Sequence, residues 1–349
     1  GDGSLTKNAY RKTGFTAYSA SGADGFIDEF QNEGEGIVIS SVGAQCGKIF
    51  RASGKWTAIN NTIAITEKDA NHSIDYLYQL LSRQDILLPE GGAQPFISQK
   101  EVIGATLHVP PLPEQKKIAE ILSGVDRQIT LLQTRINSLQ RQKKAMLNLL
   151  YDAPFDSSDS LQDLCDEDIC YGVLQYNEDG IAEVPVVQIK NLDAWDLGGM
   201  KRIPVSLDKK FARSRIQGGD LLISVKGSVG KIALVPEGFT GNISRDIARV
   251  RTKSSEITPD FLKYWFASDH GVETLARIEV GTTRAELSIG KLRTLQVAYP
   301  PIKTQNKICD IARSIDHALT AMNKSLEKHG ILKKGLSADL LSGRKRVSV

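Results

Sequence analysis

The chain has 349 residues, 41% of them hydrophobic and 24% charged, and a net charge of +3. That length predicts two or three domains of ordinary soluble composition; no apolar run reaches the ~18–20 residues of a membrane span and no signal leader opens the chain, so the expected location is cytoplasmic, with no membrane partner. The four cysteines, Cys46, Cys165, Cys170 and Cys309, form no Cys-x-x-Cys pair and the five histidines do not gather around them, so no metal site is expected and the thiols are expected to be free.

In chain order, the β-branched runs "GIVIS" (36–40) and "WTAINNTIAIT" (56–66) predict strands. "SIDYLYQLLS" (73–82) has the spacing of an amphipathic helix, and "SQKE" (98–101) has capping-box form. Pro110, Pro111 and Pro113 then block any earlier start for a long helix. The polar stretch "YDAPFDSSDS" (151–160) ends that helix and opens a second series of strands, "VPVVQIK", "DLLISV" and "IARVRT". "PDFLKYWFAS" (259–268) reads as a helix with Pro259 at its start. After Pro300 and Pro301 a second long helix follows.

Each long helix carries a seam of apolar residues at alternating steps of 4 and 3, the mark of a heptad. The first runs Ile118, Leu122, Val125, Ile129, Leu132, Ile136, Leu139, Met146, Leu150; the second runs Ile308, Ala312, Ile315, Leu319, Met322, Leu326, His329, Leu336, Leu340. Lys143 and Lys333 interrupt them at equivalent places and are expected to snorkel from the seam edge. His329 is expected to be a packed or edge residue, not a ligand. About 38 residues at ~1.5 Å each give a rod of roughly 57 Å. So narrow a stripe needs a partner. Either the two seams pair with each other, or each helix packs on its own β-rich domain.

The chain is a duplication. Gly47-Lys48-Ile49 matches Gly230-Lys231-Ile232, "IDYLYQLL" matches "PDFLKYWF", "GGAQPFIS" matches "GTTRAELS", and "PPLPEQKKIAEI" matches "PPIKTQNKICDI". The unit is too long and too few-fold for a solenoid. The predicted fold is α+β: two β-rich domains in tandem, at residues 1–110 and 153–299, with long helices at 111–152 and 300–349, the last including a basic tail.

The two Gly-Lys loops, in "ISSVGAQCGKIFRA" and "ISVKGSVGKIALV", invite comparison with a phosphate loop. That loop needs four residues between its first Gly and the Gly-Lys, then Ser or Thr for magnesium. Here the gaps are three and two residues, and Ile49 and Ile232 follow the lysines. Nucleotide hydrolysis is therefore not expected, and no nucleophile with its base stands out. Two readings stay open: a turn whose N–H groups and Lys meet an anion such as a nucleic-acid backbone, or a plain hairpin turn with a solvated Lys. Between Lys201 and Lys253 there are twelve Lys or Arg against four Asp or Glu, a field suited to a polyanion; residues 1–110 have nine against twelve.

The sequence resembles the specificity (S) subunit of type I restriction-modification systems. "PPLPEQKKIAEILSGVDRQITLLQTRINSLQRQKKAMLNLLY" is very like that family's conserved helix, and "PPIKTQNKICDIARSIDHALTAMNKSLEKHGILKKGLSADLLSG" looks like its second copy. "GDLLISVKGSVGKI" and "GTTRAELS" look like its target-recognition segments. One departure is that Glu114-Gln115 becomes Thr304-Gln305, which weakens the acidic first turn of the second helix.

The resemblance implies two target recognition domains separated by two antiparallel coiled-coil helices with pseudo-two-fold symmetry, each domain reading one half of a bipartite site in double-stranded DNA. It further implies a non-catalytic chain without a cofactor, docked to two methyltransferase subunits that bind S-adenosylmethionine and joined by motor-nuclease subunits. Under that resemblance Lys48, Arg51, Lys226, Lys231 and Arg249 are the phosphate candidates. Asn60, Asn61, Gln94, Arg245 and Arg284 are candidates for base edges, since Asn and Gln pair with adenine and Arg with guanine. The competing reading is a coiled-coil scaffold whose β domains bind protein, which the acidic first half favours.

Overall fold

The structure is a computed structural model describing residues 1–67, 71–83, 86–107, 109–151, 155, 157–174, 181–193, 195–280 and 286–348. It divides into two compact units, Gly1–Thr134 with Lys324–Val349, and Arg135–Asn323. The sequence-based boundaries at 110, 152 and 299 follow helix ends. The compact units instead each take part of both long helices.

In the first unit the strands are β1 (Phe15–Ser19), β2 (Gly22–Ile27), β3 (Asn32–Glu33), β4 (Gly36–Ser40), β5 (Ile49–Ala52), β6 (Lys55–Ala58) and β7 (Thr62–Thr66). They form a sheet of order β2-β1-β6-β3 and a second of order β5-β4-β7. The pair β1/β6 is parallel and the other pairs are antiparallel. Helices α1 (Ile74–Leu81), α2 (Gln99–Gly104) and the long α3 (Leu112–Tyr151) follow. The "SQKE" capping box is formed: Ser98 Oγ accepts from Glu101 N at 3.1 Å, and Ser98 N donates to the Glu101 carboxylate at 2.5 Å.

The second unit repeats this plan. Its strands are β8 (Ser157–Ser160), β9 (Cys170–Tyr171), β10 (Ala182–Val187), β11 (Lys201–Pro204), β12 (Ile216–Gln217), β13 (Leu221–Ser224), β14 (Ile232–Leu234), β15 (Thr240–Ile243), β16 (Ile247–Val250), β17 (Glu279–Val280), β18 (Glu286–Leu287) and β19 (Gln296–Tyr299). Its helices are α4 (Val205–Lys210), α5 (Pro259–Ala267), α6 (Asp269–Ile278), α7 (Ile289–Arg293) and the long α8 (Ile302–Leu340). The sheet β11-β10-β15-β12 matches β2-β1-β6-β3 strand for strand, including one parallel pair, β10/β15. The sheet β14-β13-β16-β9 matches β5-β4-β7 with one strand added. The duplication read from short motifs is therefore a duplication of topology.

Continuous burial marks the inner strands. Ile37, Val38 and Ile39 of β4, and Leu221, Leu222 and Ile223 of β13, are fully buried. Both β4 and β13 are inner strands with neighbours on either side, so unbroken apolar runs fit there. Val38 packs with Trp56, while Ile37 and Ile39 pack with Ile74 and Leu81 of α1.

The described seam side chains of the long helices are buried or half-buried, whereas flanking residues such as Glu120, Arg135, Asp310 and Lys324 are exposed. In the first unit Ile118, Ala119 and Leu122 of α3 pack with Leu340 of α8 and with Tyr76 and Leu80 of α1. In the second, Leu147 and Tyr151 of α3 pack with Ile308, Cys309 and Ala312 of α8 and with Phe261 of α5. Thus the helices both meet each other and dock on the β-rich domain; the two readings of the stripe are not exclusive. Lys143 and Lys333 depart from expectation. They do not snorkel freely but pair with aspartates of the other long helix, Lys143 with Asp316 at 2.5 Å and Lys333 with Asp126 at 2.6 Å. His329 packs as expected, its Nδ1 2.8 Å from the Ser325 carbonyl oxygen, and among the described residues there is no group of His, Cys, Asp or Glu able to hold a metal ion.

Candidate nucleic-acid interface

Both Gly-Lys loops join two antiparallel strands, β4 to β5 and β13 to β14. A phosphate loop instead leads from a strand into a helix N-terminus, where orphan N–H groups and the dipole hold the anion. The closure is the same in each unit. Ser40 N donates to Lys48 O at 2.8 Å and Gly47 N to Ser40 O at 2.9 Å. Ser224 N donates to Lys231 O at 2.9 Å and Gly230 N to Ser224 O at 3.0 Å. Gly47 (φ +84°) and Gly230 (φ +82°) sit in the left-handed region, so each turn requires its glycine.

Two further segments close on each loop. In the first unit Ser41 N donates to Asn61 O at 2.9 Å, Ile97 N to Ser41 O at 2.8 Å and Gly43 N to Pro95 O at 2.8 Å. In the second, Val225 N donates to Asp246 O at 2.8 Å and Leu287 N to Val225 O at 2.8 Å. The Gly-Lys loop, the turn at Asn60-Asn61 or Arg245-Asp246, and the "GGAQPFIS" segment or, in the second unit, Glu286-Leu287 therefore converge at one end of each β domain.

This cluster gathers Lys48, Asn60, Asn61 and Gln94 in the first unit, and Lys226, Lys231 and Arg245 in the second. Lys48, Asn61, Gln94 and Arg245 are exposed. Asn61 holds a positive φ of 59°, which Asn tolerates in tight turns. Arg284 lies outside the described residues.

Two candidates fall elsewhere. Arg51 stands on β5 beside α1 and is engaged by Glu35, at 3.1 Å, and by Asp75. Arg249 is a correction. It sits on β16 with a side chain only 2% exposed, its guanidinium 2.7 Å from Glu167 and bonded to the carbonyls of Arg215 and Asp168, each at 3.2 Å. A guanidinium so buried and already paired holds the fold together and offers a phosphate little free charge.

The basic excess of residues 201–253 is partly matched through space. Lys226 pairs with Glu286 at 3.0 Å, Lys231 with Asp193, and Arg215 with Asp208 at 2.5 Å. Arg251 meets Asp220 at 2.7 Å and also Glu167. Burial alone would raise the Glu167 pKa, but the hydrogen bonds and charges of Arg249 and Arg251 win and hold it below the usual carboxylate range. A cleft of about 640 Å³ is lined by Glu167, Asp208, Arg215, Arg249 and Arg251. Since each of these arginines already has a carboxylate, it offers an incoming anion little unpaired charge. Lys209 and Arg213 remain exposed without an ion-pair partner among the described residues.

Sequence reasoning noted Gln115 and Gln305 at the helix starts but not that they anchor the β domains. Gln115 is 1% and Gln305 0% exposed. Gln115 Oε1 accepts from Ser73 N at 2.9 Å while its Nε2 donates to Pro110 O at 2.8 Å. Gln305 Oε1 accepts from Thr258 N at 2.8 Å while its Nε2 donates to Pro300 O at 2.8 Å. The signal was the recurrence of Gln at one distance after Pro-Pro. The basic tail is likewise tied down: Arg346 forms a two-pronged contact with the buried Glu114, at 2.8 and 2.5 Å, and Val347 N donates to the same carboxylate at 3.1 Å.

These repeated units, each with one convergent loop end and a clamped long helix, define a tandem two-domain architecture that comparison with known proteins places. A sequence profile of the type I restriction modification DNA specificity domain matches residues 4–141 and 183–328, one match per unit of the repeat. The chain belongs to that family. It is 26% identical over 288 residues to the type I restriction enzyme EcoBI specificity subunit of Escherichia coli, a match covering 70% of this chain and 60% of that protein. It is 24% identical over 339 residues to the type I restriction enzyme MjaVIII specificity subunit of Methanocaldococcus jannaschii, covering 87% of this chain and 78% of that one. Its fold is similar to the crystal structure of the type I restriction-modification S subunit from M. genitalium, with a TM-score of 0.63 at 16% identity, covering 97% and 92% of the two chains. No helix among the described residues is long and apolar enough to cross a membrane.

Proposed function

We propose that the chain is a non-catalytic DNA specificity subunit, each unit reading one part of a bipartite duplex site through the loop end of its β domain. The observation that carries this reading is the repetition. Two units of one topology present the same three converging segments, with Lys48, Asn61 and Gln94 in one and Lys231 and Arg245 in the other. Phosphate contacts from the lysines would position the domain, and the Asn, Gln and Arg side chains would read base edges. Helices of 40 and 39 residues are long compared with the ~34–36 Å between half-sites one turn apart. Their exposed faces would dock two methyltransferase subunits that hold S-adenosylmethionine, with motor-nuclease subunits joining them.

The test is duplex binding by the chain together with its methyltransferase partner, across a library of split sites and a range of salt. One bipartite sequence should be preferred, with affinity falling steeply as salt rises. Binding indifferent to sequence would count against the reading. Residues 1–110 carry more acid than base, which favours the second reading, a scaffold with protein-binding β domains. That reading predicts no sequence-selective binding even with the partner present.

A further inference from the structure

Each unit holds a three-way polar junction where a long helix, its partner helix and the β domain meet. In the first, Lys333 Nζ of α8 lies 2.6 Å from Asp126 Oδ1 of α3, and Gln79 Nε2 of α1 donates to the other oxygen of Asp126 at 2.9 Å. In the second, Lys143 Nζ of α3 lies 2.5 Å from Asp316 Oδ1 of α8, and the Tyr264 hydroxyl of α5 donates to Asp316 Oδ2 at 2.9 Å. The Lys143 ammonium also lies 5.1 Å from the centre of the Tyr264 ring.

An isolated exposed ion pair is worth little, because side-chain entropy and solvent offset its attraction. These are half-buried, and they recur. The same number of residues separates Asp126 from Lys143 as Asp316 from Lys333, so the two helices exchange one pair of groups. Gln79 and Tyr264 occupy the same place in α1 and α5, yet one is an amide and the other a phenol. What has been kept between the two units is the donor to the free carboxylate oxygen, not the residue type. A lysine inside an apolar seam is satisfied only when its aspartate faces it. A slip of one heptad would set the charge against apolar side chains.

We infer that Asp126 and Asp316 are positioning residues that set the orientation of each β domain on the helix segments of its own unit. One carboxylate bonds to two different elements, so it couples helix pairing to domain seating. Charge assistance makes both bonds stronger than neutral ones. If the β domain reads DNA as proposed, the junction decides where its loop end points. The junction itself does not depend on that reading.

The test uses the full chain with Cys46→Ser and spin labels on Ser21→Cys and Gln128→Cys, both exposed positions of the first unit. The parent should give one narrow distance distribution. Asp126→Ala should broaden or shift it, and so should Gln79→Ala, which leaves the ion pair in place. The swap Asp126→Lys with Lys333→Asp should recover the narrow peak, because the Gln79 amide can turn its oxygen toward a lysine. A residue with only a stability role would lower the unfolding midpoint without moving the native distance. An unchanged distribution in both Gln79→Ala and Asp126→Ala overturns the inference, as does a swap that recovers nothing. If Asp126→Ala fails to fold, Gln79→Ala decides. No DNA enters the measurement, so its failure and a failure of the functional reading are separate results.

Discussion

The side-chain oxygen of Gln115 accepts the backbone N–H of Ser73 at 2.9 Å, tying the start of α3 to the N-cap of α1. Gln305 does the same to Thr258 N at 2.8 Å. Replacing either with Ala strands a partly buried N–H and a proline carbonyl, each costing up to about 1–3 kcal/mol. We expect Gln115→Ala and Gln305→Ala each to lower the urea midpoint with little change in m. Glu substitution should rescue poorly, since it cannot donate to Pro110 O or Pro300 O.

Glu114 provides a pH prediction. The Arg346 hydrogen bond, then that of Val347 N, hold its pKa below the ordinary carboxylate range. A group depressed in the folded state stabilises fully above its unfolded pKa, about 4.3, and that contribution is lost as pH falls through the folded value. Acid unfolding of the parent should therefore include a component below about pH 4.3 that Glu114→Gln lacks. Because Thr304 stands at the equivalent place, no matching component is expected from the second helix start.

The lysines of the two loops should behave unequally toward duplex DNA. Lys48 is exposed without an ion-pair partner among the described residues, whereas Lys231 is paired with Asp193. Lys48→Ala should lower affinity for all sequences and reduce the salt slope by about 0.9 for one lost phosphate contact. Asp193→Asn frees Lys231 and should raise affinity at low salt. Titrations at several salt concentrations check both.

Arg249 should act on folding, not on binding. Its loss removes hydrogen bonds to two backbone carbonyls and leaves Glu167 with Arg251 alone. We expect Arg249→Met to cost about 1–3 kcal/mol of stability and to leave the salt slope of DNA binding unchanged. Unfolding and binding measured on one preparation separate the two effects.

The sequence by itself determined what depends on local order. It carried the duplication, the two heptad seams, the proline-blocked helix starts, the capping box at Ser98 and the departure of both Gly-Lys loops from a phosphate loop. These are legible because helix and strand periods and cap chemistry act over a few residues. Only the tertiary structure decided which charges are available. A count along residues 201–253 sees twelve cations, but Glu167, Asp193 and Glu286, which pair with Arg249, Lys231 and Lys226, all lie outside that window. Arg51 likewise meets Asp75 from a different element. Seam position alone gave Lys143 and Lys333 no partner, since their aspartates lie on the opposite helix. Coulomb attraction follows distance in space, and folding sets that distance independently of separation along the chain.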